Sequence, residues 1–413
     1  MKNIFSLFLF VLFLASGLYM TDLFNDVALF VILASTVVLI FFLLLLKEKE
    51  LKVNLLLFTL MSLVFISIVI SALINNDISL FYQALVIYFS YLGLAIMHNR
   101  IYLKDGLGKM FKIVLITQTP LVFTVFYGFD FPLQGIFYNP NSMGLTAATV
   151  YVIILTYLLA NLEQELIQNG KFLTAKNLFI TMLCMFLFLV TVGSESRTSS
   201  VTIAVATALA VVVILFKGLT SKRYKSTFKS IFATLLMPFI LFLVYNFPPL
   251  KTYLYNNILY KFEARAASDN MLSTRDIAWQ KTINDATMFG NGREYFDQQV
   301  GIQAHNTFIS FLGQYGWITL ILFILFLLVS ARYALIFARR DQSKYKYTPL
   351  FLILSFVLLS TAEIMTHKAL MFAMFSTIGF VSIKSHRKTA RDEQNIKIQP
   401  IKNSKYNAPG NYV

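Results

Sequence analysis

Apolar runs long enough to cross a bilayer recur along this chain, and they decide most of what it can fold into. A helix spanning the hydrocarbon core needs roughly 20 mostly apolar residues, within a range of about 17–25. Twelve such runs lie near residues 4–20, 27–46, 53–74, 78–97, 111–128, 142–160, 177–192, 199–216, 230–247, 308–330, 348–362 and 368–383, several of them short. In lipid the backbone N–H and C=O groups need partners inside the protein, which favours helices for runs of this length. The expected fold class is therefore all-α: a polytopic integral membrane protein of about twelve transmembrane helices. Composition agrees. Hydrophobic residues make up 57% of the 413 and charged residues 13%, against about 45–50% and 25% in soluble domains. That excludes a soluble enzyme, a disordered chain and a disulfide scaffold. The single cysteine, Cys184, lies in an apolar run and permits neither an intrachain disulfide nor a cysteine metal cluster.

Loop charge gives the sidedness, because cytoplasmic loops collect Lys and Arg. With the N-terminus inside, 27 of the 35 Lys and Arg fall in inside segments and eight in outside ones. Both chain ends are then cytoplasmic. The net charge of +15 is a topology signal, and no nucleic-acid partner is expected. Lys2, the apolar run after it and Ala15-Ser16-Gly17 also read as a cleavable signal peptide. Cleavage would leave eleven spans with the same sidedness elsewhere; an uncleaved first span is the preferred reading. The expected division is residues 1–247 as spans one to nine, 248–307 as a large extracytoplasmic loop, 308–383 as spans ten to twelve, and 384–413 as a polar cytoplasmic tail.

The apolar interiors contain no Asp, Glu, Lys, Arg or His. Ion-coupled carriers usually hold such residues within the membrane, so their absence weighs against a transporter. Gln83, Gln118 and Gln314 are the strongest polar groups in the spans, and interhelical hydrogen bonding is the first expectation for them. Chemistry on a polar substrate belongs in the large loop. There Ser273-Thr-Arg-Asp276 resembles a capping box. A helix is expected from about Thr274 to Met288, stopped by Gly290-Asn-Gly292. Arg275 and Trp279 share a face of it. Arg275 sits where the helix dipole disfavours a cation. It is either a surface residue paired with an acid such as Asp276, or part of an anion site at the helix start.

Gln303-Ala-His305-Asn306-Thr307 places a histidine at the mouth of the tenth span. That histidine is either interfacial or a proton carrier. Gly193-Ser-Glu-Ser-Arg197-Thr-Ser199 sets a cation in a short outward turn, where the charge rule disfavours it; it is either a snorkelling arginine or partner of Glu195, or a functional cation. Tyr138-Asn139-Pro140-Asn141 opens the sixth span, with proline and asparagine in positions that start and cap helices.

Taken together, the order and spacing of these features resemble the O-antigen ligase and oligosaccharide repeat-unit polymerase family. The similar region runs from about residue 137 to 317. Its most specific part is the series Arg275-x-x-x-Trp279, Gly290-x-Gly292, His305-Asn306. Where the family often has a proline before its Gly-x-Gly, this chain has Thr287-Met288-Phe289. The resemblance implies a metal-independent, cofactor-free, inverting membrane glycosyltransferase of the bacterial cytoplasmic membrane. Its donor would be an undecaprenyl-pyrophosphate-linked oligosaccharide, and its product an O-antigen or capsule polysaccharide. Membrane lipid, a flippase and a chain-length regulator are the expected partners. The resemblance makes His305, Arg275 and Arg197 the catalytic residues, with Trp279 and Asn306 as substrate-binding residues. For Tyr138, Asn139, Asn141, Glu363 and His367 a structural role comes first and substrate contact second.

The chemistry fits these residue types. No Asp-x-Asp occurs in the chain. Arginines can take a metal's place on a pyrophosphate leaving group. Histidine suits deprotonation of an acceptor hydroxyl. Repeat-unit polymerisation is the expected reaction. Ligation of finished polymer to a lipid or wall acceptor is the alternative within the same chemistry, and a transporter or flippase of lipid-linked glycans is the alternative outside it.

Overall fold

A computed structural model describes residues 2–21, 24–45, 54–97, 106–127, 131–168, 174–220 and 275–381, with Pro248, Thr252 and Tyr255 besides. It is all-α apart from one antiparallel bridge between Thr21 and Phe137. The helices are α1 Lys2–Leu18, α2 Asn25–Leu45, α3 Leu55–Ile74, α4 Ile78–Leu92 and α5 Gly106–Phe123. They continue as α6 Pro140–Gln168, α7 Ala175–Gly193, α8 Arg197–Thr220, α9 Arg275–Asp285, α10 Thr307–Arg340, α11 Thr348–Ser360 and α12 Ala369–Val381. Among the described residues, seven helices are long and apolar enough to cross a membrane, and four shorter apolar ones accompany them. This is the build of an integral membrane protein. Eleven of the twelve expected runs are thus helical. The run at 230–247, the Ser273 end of the capping box, most of the large loop and the polar tail lie outside the described residues.

Capping side chains start several of these helices by accepting N–H groups that have no helical partner. Asn54 accepts from Leu57 N at 3.1 Å, Asp77 from Ser79 N at 3.0 Å and Thr174 from Asn177 N at 3.2 Å. α6 is the central strut. Its apolar stretch is 94% buried, against 33% in α7 and α8, and it packs on α5, α7, α8 and α11. α10 lies along α3, while α1, α2 and α4 complete that side.

Two helices run past their expected ends, α6 to Gln168 and α10 to Arg340. The longer α6 carries Glu163 into the protein, where it is 6% exposed. Lys346 Nζ stands 2.5 Å and Lys217 Nζ 3.3 Å from its carboxylate, and Tyr347 Oη donates to it at 2.5 Å. A carboxylate is tolerable there because ammonium groups from two other elements neutralise it. Glu163 therefore clamps α6, α8 and the α10–α11 turn together at one end of the bundle.

α9 stops at Asp285, three residues before its expected end. The backbone from Thr287 to Gly292 is needed elsewhere: it pairs with α10. α10 breaks at Gly316 (φ 88°, ψ 178°). Across the break Asn291 N donates to Gly313 O at 2.8 Å and Gly292 N to Gln314 O at 3.3 Å. In return Trp317 N donates to Thr287 O at 3.2 Å and Ile318 N to Met288 O at 3.3 Å. The approach requires glycine on both sides. A Cβ on Gly316 would lie 2.3 Å from Met288 O, and one on Gly290 (φ 75°) 2.3 Å from Gln314 O.

Two expectations follow. Glu163→Ala leaves Lys346 buried without its partner and should cost about 3–5 kcal/mol. Thermal unfolding in detergent should show a lower midpoint, and adding Lys346→Ala should restore part of it. Gly316→Val should expel the 287–292 segment, read as faster amide hydrogen exchange across 287–295 than in the unsubstituted protein.

Candidate functional site

The docked 287–292 segment, α9 and the turns 19–21, 75–77, 131–139, 193–197 and 361–368 gather at the end of the bundle opposite Glu163. Asp77 shows how closely they are joined. One carboxylate oxygen caps α4, and the other accepts Arg293 N at 2.8 Å. α9 is fixed to this end by its own ladder. Asn291 Nδ2 donates to Asp285 O at 3.2 Å, and Tyr295 Oη to the Asp285 carboxylate at 3.0 Å.

His305 is seated by its neighbours. Trp279 Nε1 donates to Ala304 O at 2.8 Å. Asn306 caps α10, accepting from Phe308 N at 2.8 Å and Ile309 N at 3.1 Å, and its amide donates to Thr361 O at 3.0 Å. Thr307 Oγ1 donates to Glu363 O at 2.8 Å and accepts from Met365 N at 2.9 Å. These bonds hold the 361–368 turn against the mouth of α10. Arg275 Nη1 donates to Ala362 O at 3.3 Å, so the first residue of α9 reaches the same turn. His305 then has Arg275, Glu363 and Lys368 as its charged neighbours. Partial burial, then Arg275, then Lys368 hold its imidazole below the usual histidine range, and Glu363 opposes them. An imidazole biased toward its neutral form can accept a proton, and among the described residues Arg275 spends one guanidinium donor, on Ala362 O.

His305 takes a left-handed conformation (φ 44°), and so does His367 (φ 65°). Left-handed backbone on residues of this size costs about 1–3 kcal/mol and tends to collect at functional sites. The sequence alone carried no signal of that strain.

The structure thus brings Arg275, Trp279, His305 and Glu363 together, with Lys368 added. Arg197 opens α8 at the same end, half-buried, beyond Ser196, which packs on Gly144 of α6. Asn139 spends its side chain capping α6, accepting Ser142 N at 2.8 Å, while Asn141 is exposed on the first turn. Asn306 is likewise a cap, so both asparagines serve as helix starts. Tyr138 binds Met20 O through its N–H and lies near Tyr19, which puts it beside a second feature.

That feature is a cleft of about 460 Å³ between α1, α2, α4 and α10. Tyr19, Tyr82, Gln83, Arg293, Gln314 and His367 line it, and Leu29, Leu33, Val86 and Phe311 give it an apolar part. Its size falls within the roughly 300–1,000 Å³ of small-molecule sites. Of the three glutamines, Gln118 behaves as expected, donating to Phe13 O of α1 at 2.5 Å. Gln83 accepts from Tyr315 Oη across to α10, and both Gln83 and Gln314 face the cleft. Arg293 was visible beforehand only as one of the outside cations, directly after the Gly-Asn-Gly turn. His367 was visible as the residue four after Glu363.

Burial, with Arg293 nearby, drives His367 down to about 4. No family model, curated protein or solved structure matches the chain.

His367 yields a pH expectation. The unfolded state takes up its proton near the ordinary value of about 6.5, the folded state only near about 4. Stability should therefore be full above about 6.5, fall as the pH drops through that window, and level off below about 4. Melting midpoints measured against pH should show this slope, and His367→Gln should flatten it.

Proposed function

We propose that the protein is a glycosyltransferase of the bacterial cytoplasmic membrane that polymerises undecaprenyl-pyrophosphate-linked repeat units of a surface polysaccharide. The observation that carries this reading is the placement of His305 beside Arg275 and Glu363 at one end of an apolar helical bundle. The resemblance in the 137–317 region supports it, and so does the excess of cations in the segments assigned to the inside. On this reading about twelve helices cross the membrane, both chain ends are cytoplasmic, and the 248–307 segment works on the outer face.

The reaction follows from the residue types. His305 removes the proton from the acceptor hydroxyl while its oxygen attacks the anomeric carbon of the donor glycan. The bond from that carbon to the pyrophosphate oxygen breaks, and its electron pair leaves with the pyrophosphate. Pyrophosphate is a good leaving group and needs no general acid, but its growing charge must be met. Arg275 meets it with the guanidinium donors not used on Ala362, and Arg197 adds a second cation from the start of α8. Attack opposite the leaving group inverts the anomeric centre. Glu363 partly offsets the two cations around His305, and Trp279 and Asn306 hold the histidine's backbone in place.

His305→Ala should abolish polymer and let lipid-linked repeat units accumulate; an unchanged polymer ladder would remove His305 from the mechanism. Arg275→Lys should fail as well, because lysine lacks the bidentate fork. Arg275→Met, assayed for residual transfer, should move the acid limb of the rate profile to higher pH, since it removes a charge that lowers the His305 pKa. Glu363→Gln should move that limb to lower pH.

A further inference from the structure

The cleft beside His305 has a composition of its own. Its lining offers aromatic faces from Tyr19 and Tyr82 and the amides of Gln83 and Gln314, and Ser310 adds a hydroxyl. Among the described residues the side chains of Gln314 and Ser310 make no hydrogen bond. The Gln83 carbonyl oxygen takes Tyr315 Oη, leaving its NH₂ as a donor. Facing amides, hydroxyls and aromatic rings with an apolar floor is the chemistry that recognises a pyranose, whose hydroxyls need donors and acceptors and whose C–H faces need a flat apolar partner.

The charges narrow the ligand further. Asp297, on the rim, is engaged by Gln303 Nε2 at 2.6 Å. Arg293 is the one Lys or Arg lining the cleft. Its backbone is pinned by Asp77, and among the described residues its guanidinium has no acidic partner. Tyr19, Tyr315 and His367 all lie within its electrostatic reach. Among the described residues His367 Nδ1 is buried and has no hydrogen-bond partner, and its backbone is left-handed. A half-buried histidine in left-handed backbone, with an unpartnered ring nitrogen, thus stands beside an exposed arginine that has no acidic partner among the described residues.

The position fits as well. The 361–368 turn has two sides: Glu363 faces His305, whereas Ile364, Thr366 and His367 line the cleft. The 303–310 segment does the same, with His305 between Gln303 and Ser310 of the cleft wall.

We propose that this cleft is the acceptor subsite of the transferase and takes a pyranose bearing an anionic substituent, with Arg293 as its counter-ion. The acceptor role rests on the transferase reading; the ligand chemistry does not.

The test is saturation-transfer NMR on the full chain in detergent, with glucuronate, glucose 6-phosphate, glucose and inorganic phosphate as probes. The expected result is that one or both anionic sugars bind more tightly than glucose and than phosphate alone. Which of them binds tells carboxylate from phosphate. Arg293→Ala should weaken the anionic sugar about ten-fold or more and leave glucose unchanged. Tyr82 is exposed, so Tyr82→Ala should fold normally and weaken all the sugars alike. Equal binding of glucose and the anionic sugars overturns the proposal, as does phosphate binding as well as they do, or insensitivity to Arg293→Ala in a protein of unchanged melting temperature. His305→Ala should bind the probes like the unsubstituted protein. If that variant still makes polymer while selective binding persists, the transferase reading falls and the anionic-sugar site stands. If it makes none while selective binding is missing, only the present inference falls.

Discussion

A helix interrupted inside an apolar bundle must find new partners for the backbone groups it releases, because no water is present to take them. α10 meets this requirement at Gly316 by exchanging four hydrogen bonds with the 287–292 segment, two accepted and two donated. Much else depends on that exchange. It fixes the loop after α9, and Asn291 in turn holds the end of α9 at Asp285. It delivers Arg293 to the carboxylate of Asp77 and so to the cleft. It also leaves Gln314 and Tyr315, next to the break, lining that cleft. Non-helical backbone within a membrane is tolerated where it is buried in protein or borders a cavity, and here it does both.

The second organising contact is the pairing of the α10 mouth with the 361–368 turn. Asn306 and Thr307 are spent on backbone partners, which makes them carpentry for the histidine between Ala304 and Asn306. The charges around His305 then come from two elements: Arg275 on α9, and Glu363 and Lys368 on the turn before α12. Partial burial first, and two cations against one carboxylate after it, bias the imidazole toward its neutral form, which is the form a base needs. The same arrangement gives any anion entering the group a favourable reception.

Most of the fold was legible in the sequence because lipid imposes a length rule on apolar runs. Charge placement and the Asn-Pro start marked helix ends; the Asp77 cap of α4 did not stand out. What escaped was long-range. The extension of α6 to Glu163 depends on Lys217 and Lys346, which lie far along the chain. Gly316 sits in an unbroken apolar run, and only its meeting with Gly290 shows why it is glycine. In the candidate site Arg275, Trp279 and His305 stood out by spacing, and Glu363 less so. Arg293, Tyr19 and the open side of His367 did not, because a cleft is assembled from five separate stretches and no local pattern records it. Asn139 and Asn306 were conspicuous for the ordinary reason that they cap helices.

The burial of α6 also bears on how the protein is made. Its flanking helices α5, α7 and α8 are close in sequence, but α11 emerges from the ribosome much later. Thr156 of α6 meets Thr348 at 2.9 Å across 192 positions, and Glu163 meets Tyr347 across 184. During synthesis the strut of the bundle therefore waits in the bilayer with hydroxyl groups and a carboxylate only partly matched, Lys217 arriving before Lys346. Completion of the bundle is a late event, set by the last helices to be inserted. A chain stopped short of Lys346 keeps nearly all its apolar runs and still lacks the contact that closes its far end.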